Sequence, residues 1–265
     1  MIRTLIRSCP ALLASVLLLP SPAVGQEIAS AYRDAADRLI EAATADHAAY
    51  ERLGELVDRF GSRFSGSVAL EQALDWILQE MEADGLDNVR GEPVMVPHWV
   101  RGEESLDLVL PRPRSLPMLG LGGSVGTPPS GIRAEVLVVS SFDELEARAD
   151  EARGKIVLFD APFVSYGETV QYRGRGAVAA ARAGAVASLV RSVGPESIQS
   201  PHTGAMSYED GVNRIPHAAI TAEDASMLHR MQDRGERIEV HLYMEARTLP
   251  DAPSRNVMAE IVGSE

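Results

Sequence analysis

Cysteine is almost missing from this sequence. Of 265 residues only Cys9 carries a thiol, and it lies close to the start. A disulfide scaffold and thiol catalysis are therefore excluded for the rest of the chain, whose stability has to come from a buried core. Long apolar runs are missing too: Ala11–Leu19 (ALLASVLLL) is too short to span a bilayer, and no later stretch is longer and as apolar. Positive charge is in deficit, with 25 Lys and Arg against 38 Asp and Glu and a formal net charge of −13. Such a surface repels phosphate backbones and anionic membranes, which excludes nucleic acid as a partner. Metal-ligand spacing is also absent. None of His47, His98, His202, His217, His229 and His241 falls in HExxH or a comparable pattern, so no metal-binding residue is assigned. There is no internal repeat and no low-complexity tract.

What is present begins with an export signal. Arg3 and Arg7 precede the apolar run, and Ala23-Val24-Gly25 supplies the small residues for cleavage before Gln26. Residues 1–25 are read as a signal peptide, with an uncleaved anchor as the competing reading. The mature chain is then secreted or periplasmic, and loss of two arginines takes its charge from −13 to −15. Its 240 residues (265 less 25) suit one or two domains.

Two textures divide the mature chain near Gly102. Before it, Tyr50, Leu53, Leu56, Val57 and Phe60 recur at helical spacing, as do Leu70, Leu74, Ile77, Leu78 and Met81. Ser67 caps the second of these helices and Gly85 ends it. The loop GSRFSGS (Gly61–Ser67) lies between them, and a strand follows around Val94–Trp99. After Gly102, short strands alternate with helices. SLDLVL places Leu106, Leu108 and Leu110 on one face, and AEVLVVS, KIVLFDA and ASLVRS read as buried strands. RPRSLPMLGLGGSVGTPPSG, dense in Pro and Gly, reads as loop. Ser141 with Glu144 forms a capping box for a helix over Phe142–Ala152. A further helix is expected over Ala177–Ala183, and another between Thr221 and Gly235, followed by the strand IEVHLYMEA. RTLPDAPSR (Arg247–Arg255) reads as a linker, and Asn256–Val262 reads as a strand meant for the inside of a sheet.

Three stretches could carry chemistry. Gly122-Gly123-Ser124-Val125-Gly126 matches GxSxG, but a nucleophile there needs a strand-to-helix turn, and Thr127-Pro128-Pro129 forbids the helix. Gly174-Arg175-Gly176-Ala177-Val178-Ala179 fits the GxGxxA dinucleotide fingerprint, but the polar SYGETVQYR before it makes a poor strand. Small residues that let a helix pack closely on a sheet explain it better. The third stretch is the long polar loop Ser197–Thr221. Pro201, Gly204 and Pro216 restrict it, and His202, Thr203 and Tyr208 could present donors and acceptors to a ligand. A rigid surface loop with His202 bonded to nearby backbone explains it equally well.

Several long stretches, in order, carry a resemblance: FGSRFSGSVALEQALDWILQEMEADGLDNVRGEPVMVPHWVRGEESLDL, LGLGGSVGTPPSGI, GKIVLFDAPF, YRGRGAVAAARAGAVASLVRSV, SIQSPHTGAMSYEDGVNRIPHAAITAEDASML and SRNVMAEIVGS. From about Tyr50 to the last residue the sequence resembles the carboxypeptidase Q-like zinc exopeptidases of the aminopeptidase and glutamate carboxypeptidase superfamily. The resemblance implies an α/β fold in which residues 26–102 begin the peptidase domain. Residues 103–247 form an inserted mixed α/β protease-associated (PA) domain, and residues 248–265 are a linker and the first strand back. In the complete family enzyme two zinc ions are held by a His-x-Asp motif and further Asp, Glu and His ligands, beside a Glu general base. None of these has a match before Glu265, so no catalytic or metal residue is assigned and the chain alone is expected to lack peptidase activity.

The resemblance also implies small peptides such as dipeptides as substrates, with the PA insert shaping access to the cleft. The loop at His202, Thr203 and Tyr208 is a candidate wall, and Arg63 and Ser65 of RFSGS are candidates for the same rim, although capping by Ser67 explains that motif as well. A homodimer is the implied assembly. The rival reading is a stand-alone, non-catalytic PA-fold module binding peptide or protein. It would leave apolar surface exposed on the strand at Asn256–Val262 and on the amino-terminal helices.

Overall fold

A computed structural model describes residues 24–195 and 199–263. The signal segment lies outside the described residues except for Val24 and Gly25, which open the first helix. The chain divides into a unit ending at Asp58 and a unit from Arg59 onward. The first holds α1 (Val24–Ala45) and most of α2 (Ala48–Phe60), which Asp46 opens by accepting from the Ala48 amide at 2.6 Å. The helical spacing of Tyr50, Leu53 and Val57 is realised, but all three remain exposed.

The second unit opens on α3 (Val68–Ala83). Ser67 Oγ accepts from the Leu70 amide at 3.2 Å, and Gly85 closes the helix at φ 76°, a conformation that costs glycine little. The helix buries Ala73, Leu74 and Trp76 and lies against a two-stranded antiparallel ribbon of β1 (Asp87–Val100) and β10 (Arg247–Glu260). Arg255 on β10 pairs with Asp75 at 2.6 Å, and Ser254 donates to Glu71 at 2.6 Å, so polar bonds as well as the buried residues join helix to ribbon.

This ribbon corrects two expectations. Arg247–Arg255 is not a linker but most of β10, paired residue by residue with β1. Its prolines do not break it. Pro250 lies where the register shifts, and a two-stranded ribbon leaves alternate amide positions facing an open edge, where a missing N–H costs nothing. The strand at Asn256 is real but ends at Glu260, and Ile261 and Val262 beyond it are exposed rather than inside a sheet.

Between β1 and β10 the chain builds an eight-stranded sheet. Its strands are β2 (Glu104–Leu110), β3 (Arg114–Ser115), β4 (Met118–Gly120), β5 (Ile132–Val139), β6 (Ile156–Phe159), β7 (Ala187–Arg191), β8 (His217–Ile220) and β9 (Glu239–Met244). The order is β3-β2-β9-β5-β6-β7-β8-β4. Strands β5 to β8 run parallel, and antiparallel strands flank them on both sides. The sheet curls until β4 stands beside β2, with the Gly120 amide donating to Glu104 at 2.9 Å.

Helices cover both faces. One face carries α4 (Phe142–Ala147), α5 (Ala149–Ala152) and α6 (Tyr166–Arg182), packed around Phe159, Val139 and Leu137. The other carries α7 (Ala222–Asp233), whose Ala225, Leu228 and Met231 meet Leu158, Leu189 and Val240. The parallel strands are buried on both sides, which is why they read as continuous apolar runs.

Three local expectations change. The Pro- and Gly-rich segment is not all loop: it contains β3 and β4, and β4 completes the sheet edge against β8. The helix expected over Phe142–Ala152 breaks at Arg148. Ser141 caps it at 3.0 Å, but Glu144 reaches back to the Ser140 amide instead of closing the box on Ser141. Helix α6 starts eleven residues before Ala177, at Tyr166, opened by Ser165. Its polar first half hid it, because the inward stripe there is Thr169 and Arg173 rather than aliphatic residues.

Candidate functional site

In the loop after β7, residues 202–206 are held by hydrogen bonds that begin at His202. The His202 amide donates to Ser192 Oγ and its ring Nδ1 meets the Val193 carbonyl, both at 2.7 Å. A carbonyl only accepts, so Nδ1 carries a proton. Thr203 Oγ1 donates to the Gly120 carbonyl at 3.2 Å, and Gly204 and Met206 exchange backbone bonds with Gly122 at 2.8 and 2.9 Å. These bonds tie the loop to the end of β4.

Under this loop lies Arg173, which sequence reasoning missed. It sits in the middle of α6, on the inward stripe with Thr169, Gly176, Ala177 and Ala180, and is only 9% exposed. Nη2 donates to the Tyr166 hydroxyl at 2.8 Å, Nη1 reaches the Thr203 carbonyl at 3.4 Å, and Nε has no hydrogen-bond partner among the described residues. The Tyr166 ring lies 5.5 Å from the guanidinium carbon, and the His202 ring 6.3 Å from that of Tyr166. Gly204 comes so close that an added Cβ would stand 2.5 Å from the guanidinium carbon. No carboxylate among the described residues pairs with this cation.

A buried guanidinium with only neutral oxygen partners is an expensive arrangement, since its desolvation is repaid by a counter-charge. An arriving carboxylate or other anion supplies one, with charge-assisted bonds about twice as strong as neutral ones. The signal in the sequence was a lone cation at an inward helical position among small residues.

The other expected site residues divide. Thr203 accepts from Arg173 through its carbonyl, and His202 has its ring against that of Tyr166, which also bonds Arg173. Tyr208 does not present itself to a ligand: its hydroxyl donates to the Ile215 carbonyl at 2.7 Å and accepts from the Val125 amide at 3.0 Å. Burial raises its pKa further from the physiological range. Arg63 donates to the Gly61 carbonyl and Ser65 to the Pro97 carbonyl, both within or beside the loop before α3. That loop approaches Thr203 indirectly, through Phe64. The Phe64 ring stands edge-on to Trp99 at 5.6 Å and under the Arg101 guanidinium at 4.9 Å, and Arg101 donates to the same Gly120 carbonyl that Thr203 uses.

The two motif candidates are structural. Ser124 is 1% exposed, donates to the Val125 carbonyl and accepts from the His217 amide at 2.9 Å, so it is no exposed nucleophile. Gly176 lets α6 approach β8 closely, for a Cβ there would stand 3.1 Å from the His217 ring and from Phe159. Ser188 and His217 resemble a nucleophile and base at 2.7 Å, but both are fully buried. Among the described residues no group of three or more His, Cys, Asp or Glu could hold a metal ion. No helix of the described residues is long and apolar enough to cross a membrane.

No family model matches the chain. Carboxypeptidase Q from Mus musculus is 54% identical over 244 residues, covering 91% of this chain and 52% of that protein. The crystal structure of a peptidase M28 precursor from Shewanella amazonensis SB2B superposes with a TM-score of 0.82 at 34% identity, covering 89% of this chain and 55% of that one. A zinc aminopeptidase from Bacillus subtilis shares the fold alone, with a TM-score of 0.56 at 23% identity. The chain spans about half the length of the curated relatives it matches. In sequence it is similar to carboxypeptidase Q and in fold to an M28 peptidase.

Proposed function

We propose that this chain is the amino-terminal and PA-domain portion of a secreted carboxypeptidase Q-like metallo-exopeptidase, in which it receives the carboxylate end of small peptides such as dipeptides. The PA body is residues 103–247, and the complete enzyme binds two zinc ions through residues other than those described. Residues 1–25 serve as the export signal, and the assembly is a homodimer.

The observation that carries the reading is Arg173. A peptide with a free carboxyl terminus brings the counter-charge that no described residue supplies to this buried guanidinium, and the Tyr166 hydroxyl that bonds it has the His202 ring 6.3 Å from its own. In this reading the loop at His202–Gly204 forms one wall of the substrate path and Arg173 forms its floor.

Calorimetric titration of the chain with N-acetylalanine and with N-acetylalaninamide tests this. The carboxylate is expected to bind and the amide not to, and Arg173→Met is expected to remove the difference. Equal binding of both probes by the parent chain would sink the reading.

A further inference from the structure

We propose that Arg101 is a positioning residue for the Arg173 carboxylate site, acting through the carbonyl of Gly120 and through Thr203. This rests on the carboxylate reading of Arg173 above. Arg101 lies in the crossing from the ribbon to the eight-stranded sheet, one residue past the end of β1. Its guanidinium is held from one side by the faces of Phe64 and Trp99, at 4.9 and 5.6 Å, and from another by Glu104, 3.6 Å from Nε. What it holds in turn is Gly120. Arg101 Nη2 donates to the Gly120 carbonyl at 3.1 Å while Glu104 accepts from the Gly120 amide at 2.9 Å, so one ion pair grips both backbone groups of a single residue.

That residue is the anchor of the loop over Arg173. Thr203 Oγ1 donates to the same carbonyl, and the Thr203 carbonyl in turn accepts from Arg173. Gly204 follows directly, packed against the guanidinium carbon. A shift of Gly120 therefore moves Thr203, and a shift of Thr203 removes an acceptor from Arg173 and uncovers its buried face. There is little slack at the anchor: a Cβ on Gly120 would meet Glu104 at 2.6 Å and Met244 at 2.8 Å. Trp99 joins the same assembly, its indole N–H donating to the Ser124 carbonyl at 2.9 Å. The ribbon side of the molecule thus sets the geometry of a site built on the sheet side.

The test uses Trp99 as reporter in the full chain carrying Trp76→Phe, since these are the only two tryptophans. N-acetylalanine is titrated while Trp99 emission and affinity are followed. The parent is expected to show a saturable emission change. Arg101→Met is expected to weaken binding at least fivefold and abolish the emission change, with Arg101→Lys in between. Thr203→Val, which strands no charge, is expected to weaken binding similarly, and the double variant to be no weaker than the worse single one. If Arg173→Met has lost binding while Arg101→Met and Thr203→Val bind and respond like the parent, the positioning role is overturned and the carboxylate site stands. If Arg173→Met binds as the parent does, it is the carboxylate reading that fails. Should Arg101→Met not fold, Thr203→Val decides alone, and unchanged binding there overturns the proposal.

Discussion

His217 Nδ1 and Ser188 Oγ lie 2.7 Å apart, on neighbouring parallel strands, with neither side chain reaching solvent. The ring is packed under Gly176 of α6, and its Nε2 meets the Tyr172 carbonyl at 3.3 Å. The pair is a polar spacer in the core. Burial, the largest effect, pulls the imidazole pKa from 6.5 down to about 4.

That depression makes stability depend on pH. The unfolded chain binds the proton near pH 6.5 and the folded chain only near pH 4, so the stability is fully present above 6.5 and is lost as pH falls toward 4. The loss is about 1.4 kcal/mol per pH unit within that window. Urea unfolding at pH 7.5, 6 and 5 is expected to show the midpoint falling, and His217→Gln to flatten the dependence while being less stable at pH 7.5. A parent midpoint flat from pH 7.5 to 5 would contradict the assignment.

The glycines of the GxGxxA segment are expected to respond oppositely. Gly174 has nothing within 4 Å of an added Cβ, so Gly174→Ala should be neutral or gain up to about 1 kcal/mol from helix propensity. Gly176→Ala places a methyl group 3.1 Å from His217 and Phe159 and should cost about 1–3 kcal/mol. Thermal melts of the two variants separate a packing role from a ligand-binding one, which would make both positions sensitive.

Ser124→Ala is expected to cost about 1–3 kcal/mol, because it strands the buried His217 amide that donates to Oγ. An active-site serine would behave otherwise, with stability kept or raised. Treatment with a fluorophosphonate probe should leave the parent chain unlabelled at Ser124.

Zinc is expected to leave the melting temperature of the isolated chain unchanged at tenfold excess over protein. A ligand that binds only the folded state raises stability by mass action, and no described cluster offers it three ligands. A rise of several degrees would reveal a metal site.

Much of the fold was legible in the residues. Helices α3 and α7 announce themselves by Ser67 and Thr221 at their starts and Gly85 and Gly235 past their ends. Strands β5, β6 and β7 do so by apolar runs that both faces of a parallel sheet require. Elements whose partners lie far away in sequence were not legible. Strand β4 and most of β10 look like loop by composition, and each becomes a strand because β8 or β1 offers it an edge. Helix α6 hid its first half because its buried stripe is polar there.

Of the candidate site, the sequence by itself picked out the loop at His202 and Thr203 as restricted backbone, because prolines and glycine interrupt a long polar segment there. It also decided, through the long ordered matches, which peptidases the chain resembles. Only tertiary structure decided what the loop covers. Whether an arginine on a helix faces water or lies buried without a counter-charge depends on what packs over it, and Gly204 comes from thirty-one residues further along. The bond from Arg101 to Gly120 likewise forms only because the sheet curls until β4 stands beside β2.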